Sequence, residues 1–214
     1  ASVQLKVIAQ KSSKNASKQR SKKTSPVAAS SSSVTLDNEA LQHVCLGVLC
    51  DAMQWLKTEG AFAFGQDFVD SCLTALSAPD AAVSPLVRQV AAHLAGQMAA
   101  FAPTAFKDFC IQAVTPLLEK LIKKREARAP SQVSVTDNAV SALIRIHSAF
   151  PGSLAPDTST FIGQFLLPGL PVISDDAEIN GAATFLMQNF NPQAVWAPTV
   201  LSALVTVQTT PSAS

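Results

Sequence analysis

"SPLVRQVAAHLAGQMAAFAP", residues 84–103, decides the fold. Leu86, Val90, Leu94 and Met98 recur at every fourth position and Phe101 extends them, an apolar stripe with helical period. Gln89, His93 and Gln97 form the neighbouring polar row. Ser84 suits an N-cap, Pro85 the first helical position, and Pro103 closes the segment. Ala91, Ala92, Ala95, Ala99 and Ala100 fill most other positions, so two backbones can approach on more than one side. A helix of this kind is wedged between neighbours.

The flanking sequence has the same punctuation. "LDNEALQHVCLGVLCDAMQWLKTEG" predicts a helix capped by Asp37 or Asn38 and stopped at Gly60. After a short "AFAFG" connection, "QDFVDSCLTALSAP" gives a second helix ended by Pro79. "TAFKDFCIQAVTPLLEKLIKKREAR" follows residue 103, with Pro116 placed to kink or split it. "VTDNAVSALIRIHSAFPGS" stops before Pro151. "DTSTFIGQFLLPGLP" is a shorter partner with Pro168 and Pro171 near its end. "SDDAEINGAATFLMQNFNP" opens on an acidic turn, favourable at a helix N-terminus, and "QAVWAPTVLSALVTV" closes the series. These helices alternate as first and second members of hairpins, with no convincing strand. Aligning "AAHLAGQMAAF", "VSALIRIHSAF" and "GAATFLMQNF" places equivalent positions roughly 40 to 50 residues apart, the period of HEAT or armadillo units. The expected fold is an all-α solenoid of about four HEAT repeats over residues 37–207. Residues 1–36 are expected to be a basic, largely disordered leader, because Ser, Lys, Ala and Thr bury too little apolar surface to offset ordering entropy. Residues 208–214 form a polar tail.

At 214 residues and 48% hydrophobic content the chain suits one globular domain or one short repeat array. Its apolar stretches fall well short of the roughly 20 residues that span a bilayer, so a soluble chain without a membrane partner is expected. Ala1 in the first position reads as a fragment or a processed chain. Cys45, Cys50, Cys72 and Cys110 sit inside apolar helical patterns without a CxxC pair, and read as small buried hydrophobes in a reducing compartment. The net charge of +1 conceals an asymmetry. Lys6, Lys11, Lys14, Lys18, Arg20, Lys22 and Lys23 precede the first acid, Asp37, so the folded part is acidic and its leader basic.

Catalytic patterns are missing. His93 lies on the polar row and reads as exposed or partly exposed, and His147 as a half-buried packing residue beyond Leu143 and Ile144. His43 and Cys50 are two helical turns apart, on the order of 10 Å, too far to share a metal directly. No HExxH, CxxC pair, GxSxG elbow or phosphate-binding glycine loop occurs. Asp175, Asp176 and Glu178 are explained as cap and dipole partners of a helix start. No enzyme activity, metal or cofactor is expected. The leader lacks aromatic residues for base stacking, which makes nucleic acid an improbable partner. Lys120, Lys123, Lys124, Arg125 and Arg128 fall at the end of a helix, where the macrodipole favours cations.

At "SPLVRQVAAHLAGQMAAFAPTAFKDFCIQAVTPLLEKLIKK" the pattern becomes specific. Val87-Arg88-Gln89 opening an alanine-rich helix, then Phe109-Cys110 and Pro116-Leu117-Leu118, resembles the importin-beta (karyopherin-beta) superfamily, closest to the branch that carries ribosomal proteins. "VTDNAVSALIRIHSAFP" and "GLPVISDDAE" look like its next repeats. The resemblance covers about residues 37–207 and corresponds to carboxy-terminal HEAT repeats of a much longer receptor. It implies nuclear transport: a protein shuttling between cytoplasm and nucleus that binds basic cargo, with nucleoporins as further partners. Release is by the GTPase Ran, contacted through repeats absent from this chain. On that resemblance the second helices line the concave face. They would offer cargo Gln66, Asp67 and Asp70, then Asp108, Gln112 and Glu119, then Asp157 and Gln164. The rival reading is a HEAT scaffold subunit of a multiprotein complex outside transport.

Overall fold

In a computed structural model of the chain the backbone is described for residues 31–209 and the side chains for residues 38–207. Helical backbone runs over Ser31–Ser77, interrupted by non-helical dihedrals at Lys57 (φ 48°, ψ −126°) and Phe64 (φ −132°, ψ 16°). We label the helix before this break α1 (31–56) and the helix after it α2 (65–77). The chain reverses direction between them. Cys50 Sγ donates to the Val90 carbonyl at 3.8 Å and Cys72 Sγ to that of Ala91 at 3.5 Å. A straight helix would hold those two thiols roughly 33 Å apart.

Two expectations need correcting here. Helical backbone begins by Ser31, ahead of the cap expected at Asp37 or Asn38. Extending a helix that is already nucleated costs little, even through serines. The rest of the leader lies outside the described residues, as does the tail beyond Thr209. The first helix also breaks at Lys57 rather than at Gly60. Glycine at 60 is required by crowding, because a Cβ there would lie 2.9 Å from the Leu56 Cβ.

The opening stretch forms α3 (Pro85–Phe101). Ser84 is extended and its side chain accepts from the Val87 N–H at 3.4 Å, with Pro85 in the first turn as expected. Ala91, Ala92, Ala95 and Ala99 are fully buried, since α3 is pressed between the α1–α2 hairpin on one side and α6 (Val133–Ala149) on the other. At Gly96 a Cβ would come within 3.1 Å of the Ala142 Cα, so the α3 and α6 backbones nearly touch. The polar row is less exposed than its composition suggests: Gln97 is buried and His93 half-buried.

Pro116 does split its helix, through a π turn. α4 (Pro103–Asp108) passes into π-helical backbone over Phe109–Val114 and then into α5 (Thr115–Ile122). The Thr115 N–H bonds the Cys110 carbonyl, five residues back, and its hydroxyl bonds the same oxygen at 2.9 Å. Pro116 has no N–H to give to the Gln112 carbonyl, so the wider turn begins where the α-helical ladder is already broken. The side-chain pattern also requires it. Phe106, Cys110, Val114, Leu118 and Ile122, spaced by four, are all at most 4% exposed. In a regular α-helix such a row drifts about 40° per step and its ends would face nearly opposite ways. The π turn, one residue wider, takes back about 100° of that drift.

The third hairpin repeats the device. α7 (Thr158–Phe161) passes into π-helical backbone over Ile162–Leu166 and a 3-10 turn over Leu167–Gly169, with Pro168 in the place of Pro116. The Leu167 N–H bonds the Ile162 carbonyl, again five residues back. α8 (Asp176–Gln188) is capped by Asp175, which accepts from the N–H groups of Ala177 and Glu178 at 2.8 and 3.2 Å. α9 (Ala197–Thr209) closes the series. Contacts run in order: the α1–α2 hairpin with α3, α3 with α6, α6 with α8, α8 with α9. A continuous apolar core from Leu46 to Val200 follows the same path. The described residues are helical and strandless, helical hairpins stacked in series as an α-solenoid.

Candidate functional site

On the second helix of each hairpin the buried row leaves a matching exposed one. Along α4–α5 an exposed row holds Thr104, Asp108, Gln112, Pro116 and Lys120, also spaced by four, with Ala105 and Lys107 exposed beside it. Because the π turn takes back most of the drift of the buried row, this exposed row winds only slightly around the helix. Along α7 and its π turn, Thr160 is half-buried and Gln164 and Pro168 are exposed. In α2 the corresponding row holds Gln66 and Thr74, both exposed, with Asp70 half-buried between them.

Each residue expected to face cargo now has a place. Gln66 donates to the Asp70 carboxylate at 2.7 Å, one turn on, and Asp67 is half-buried beside them. Asp108 and Gln112 are exposed in one row. Glu119 is half-buried and paired with Lys123. Asp157 caps α7, accepting from the Thr160 N–H at 2.7 Å and its hydroxyl at 3.0 Å, and these bonds hold its carboxyl below the usual range. Gln164 is exposed at the position equivalent to Gln112. The structure thus groups Gln66 with Asp70 and Asp108 with Gln112, and gives Asp157 and Glu119 local partners.

The basic cluster at the end of α5 is largely absorbed by structure. Asp80 accepts from Lys124 at 2.5 Å and from the buried Arg88 at 2.6 Å, which lowers its pKa. The Arg88 guanidinium also donates to the carbonyls of Ala78 and Pro79 at 2.8 and 3.3 Å, clamping the α2–α3 linker. Arg128 bonds Asp137 at 2.7 Å, the Gly169 carbonyl at 3.1 Å and the Pro171 carbonyl. Asp137, fully buried, accepts further from the N–H groups of Ile173 and Ser174 at 2.8 and 2.7 Å.

The sequence reading missed a second polar system, between first helices. Glu178 in α8 accepts from Arg145 of α6 at 3.0 and 3.1 Å and sits 3.0 Å from His93 Nδ1 of α3. Gln97 lies 2.8 Å from His93 Nε2. Burial raises the Glu178 pKa, but the His93 bond and the Arg145 charge outweigh it and hold the carboxyl at about 2. Three successive first helices are joined this way. The available signal was a single Arg in each of two apolar helices, Arg88 in α3 and Arg145 in α6, since a buried cation needs a partner. His147 stacks on Phe161 at 4.0 Å and burial lowers its pKa, so it packs as a neutral ring. Among the described residues no cluster of His, Cys, Asp or Glu is arranged to hold a metal, and no helix is long and apolar enough to cross a membrane.

No family model matches the chain. It is 27% identical over 173 residues to Importin subunit beta-3 of Saccharomyces cerevisiae, an alignment covering 79% of this chain and 15% of that protein. The chain therefore spans about a seventh of the curated relative it matches. The order of stacked helical hairpins and this similarity together support an importin-beta-like relationship.

Proposed function

We propose that this chain is a section of a nuclear transport receptor whose second-helix face contributes to recognition of basic cargo in nuclear import. The similarity to an importin over most of the chain carries this reading. The acids and amides exposed along α2 and α4–α5, on a folded part of net negative charge, supply suitable chemistry. The outer face of α1 exposes Leu41, Val44 and Val48, and that of α9 exposes Leu201 and Val205. A capping helix carries polar residues there, so both faces suit further hairpins of a longer array. In the whole receptor, Ran and nucleoporins are partners of other repeats, and the protein shuttles between cytoplasm and nucleus.

Exposed ion pairs contribute only ~0.2 to 1 kcal/mol each, whereas micromolar binding needs about −8 kcal/mol. Binding of a Lys/Arg-rich peptide to this chain is therefore expected to be weak and to fall steeply with salt. Titration at low and high ionic strength checks this; binding indifferent to salt contradicts the electrostatic account. For the class of protein, capture by GTP-loaded but not GDP-loaded Ran is expected of the full-length receptor, while a scaffold outside transport would ignore the nucleotide.

A further inference from the structure

Residues 109–116, "FCIQAVTP", and 161–168, "FIGQFLLP", are one motif written twice. Phenylalanine, glutamine and proline coincide, and Val114 is matched by Leu166. Both copies carry a π turn closed by an N–H to carbonyl bond across five residues. Burial agrees at six of the eight positions, Phe109 and Leu167 being half-buried where their counterparts are buried. Cys110 and Val114 are buried as are Ile162 and Leu166, and Gln112 and Gln164 stand exposed midway between them. The proline four residues on is exposed in both copies and cannot donate to the glutamine carbonyl, which loses its α-helical donor. Each copy therefore presents a primary amide, with donors and an acceptor, beside a backbone carbonyl stripped of its usual partner. π turns inside helices recur at functional positions. The shared π turn and the exposed glutamine midway between two buried residues recur together in both copies.

We infer that Gln112 and Gln164 are paired stations that grip the main chain of an extended basic peptide segment. This rests on the cargo reading proposed above and adds how the segment is held. A primary amide can pair with both the C=O and the N–H of a peptide unit, and neither station carries a charge that would select a side chain. Gly169, just past the second copy, abuts Ile122 at the end of α5, six residues past the first copy. The first hairpin carries Thr74 at the equivalent position, with Asp70 one turn before it as Asp108 precedes Gln112. The acids thus fall toward the first and second hairpins, where basic side chains of the segment would be attracted. The amides lie in the second and third.

The test uses the 214-residue chain and two fluorescent probes of one sequence, Lys-Ser-Lys-Gly-Lys-Ser-Lys-Gly-Lys. One has amide linkages; in the other, ester linkages replace alternate peptide bonds and remove main-chain N–H groups without changing charge. Gln112→Ala/Gln164→Ala is expected to weaken the amide probe by about tenfold at both low and high salt, from hydrogen bonds lost at two stations. The ester probe should bind wild type more weakly and lose little further affinity in this variant. Asp70→Asn/Asp108→Asn should weaken both probes, at low salt only. Unchanged affinity of the amide probe in the glutamine variant, with the aspartate variant still weakened, would overturn the stations and leave basic recognition standing. No binding of either probe to wild type would overturn both. All these positions are on the surface, and unchanged thermal midpoints verify that folding is intact.

Discussion

Glu178 is 5% exposed and its carboxylate lies between Arg145 and His93, whose side chains are 28% and 31% exposed. Removing one member of a fully buried pair costs about 3 to 5 kcal/mol; with two partly wetted partners, Glu178→Gln should cost about 2 to 3 kcal/mol near neutral pH. The pH dependence has a definite sign. The carboxyl titrates at about 2 in the folded chain against an ordinary 4.5, so its contribution is complete above pH 4.5 and lost as pH falls toward 2. Chemical denaturation of wild type and Glu178→Gln should show a stability gap that is wide at pH 6 and closes through that window. Little of this could be read beforehand. Glu178 stands in "SDDAE", where the helix start accounts for Asp175 and Asp176, and nothing in the spacing says that the third acid reaches back to α6 and α3. Ser84 is the opposite case: its bond is local, so three residues of sequence suffice to place it.

The glycines report how closely helices approach. At Gly96 an added methyl would meet the Ala142 backbone at 3.1 Å, and α6 cannot yield without moving as a body. Gly181 lies on the exposed side of α8 with nothing within 4 Å. Gly96→Ala should therefore destabilise by about 1 to 3 kcal/mol from overpacking, whereas Gly181→Ala should stabilise by about 0.5 to 1 kcal/mol through helix propensity. Thermal or urea unfolding of the two variants distinguishes them by sign. The alanine pattern of residues 84–103 made the crowding of α3 legible, because small residues on several sides let two neighbouring backbones approach at once. The proline at 116 foretold an interruption, but its form depended on the buried row of fours. That row is visible in the sequence once Phe106, Cys110, Val114, Leu118 and Ile122 are read together.

Stacking in series makes stability a matter of neighbours. α3 and α6 are flanked on both sides, while α9 packs mainly on α8. Amide hydrogen exchange should be slowest in α3 and α6 and fastest in α9, graded along the array instead of uniform. Equal protection from α3 to α9 would show a single cooperative unit. The solenoid architecture was readable from the recurrence of helical punctuation, whereas the order of contacts depends on long-range packing that no local window contains. The second helices also carry a consequence for how such a chain tolerates change in length. Removing a single residue between Phe109 and Val114 would turn everything after it by about 100° about the axis. Leu121 would then take the exposed place of Lys120, and Glu119 the buried place of Leu118. Insertions and deletions should accordingly be found in the linkers, while the eight residues of each doubled motif keep their count even where their letters differ.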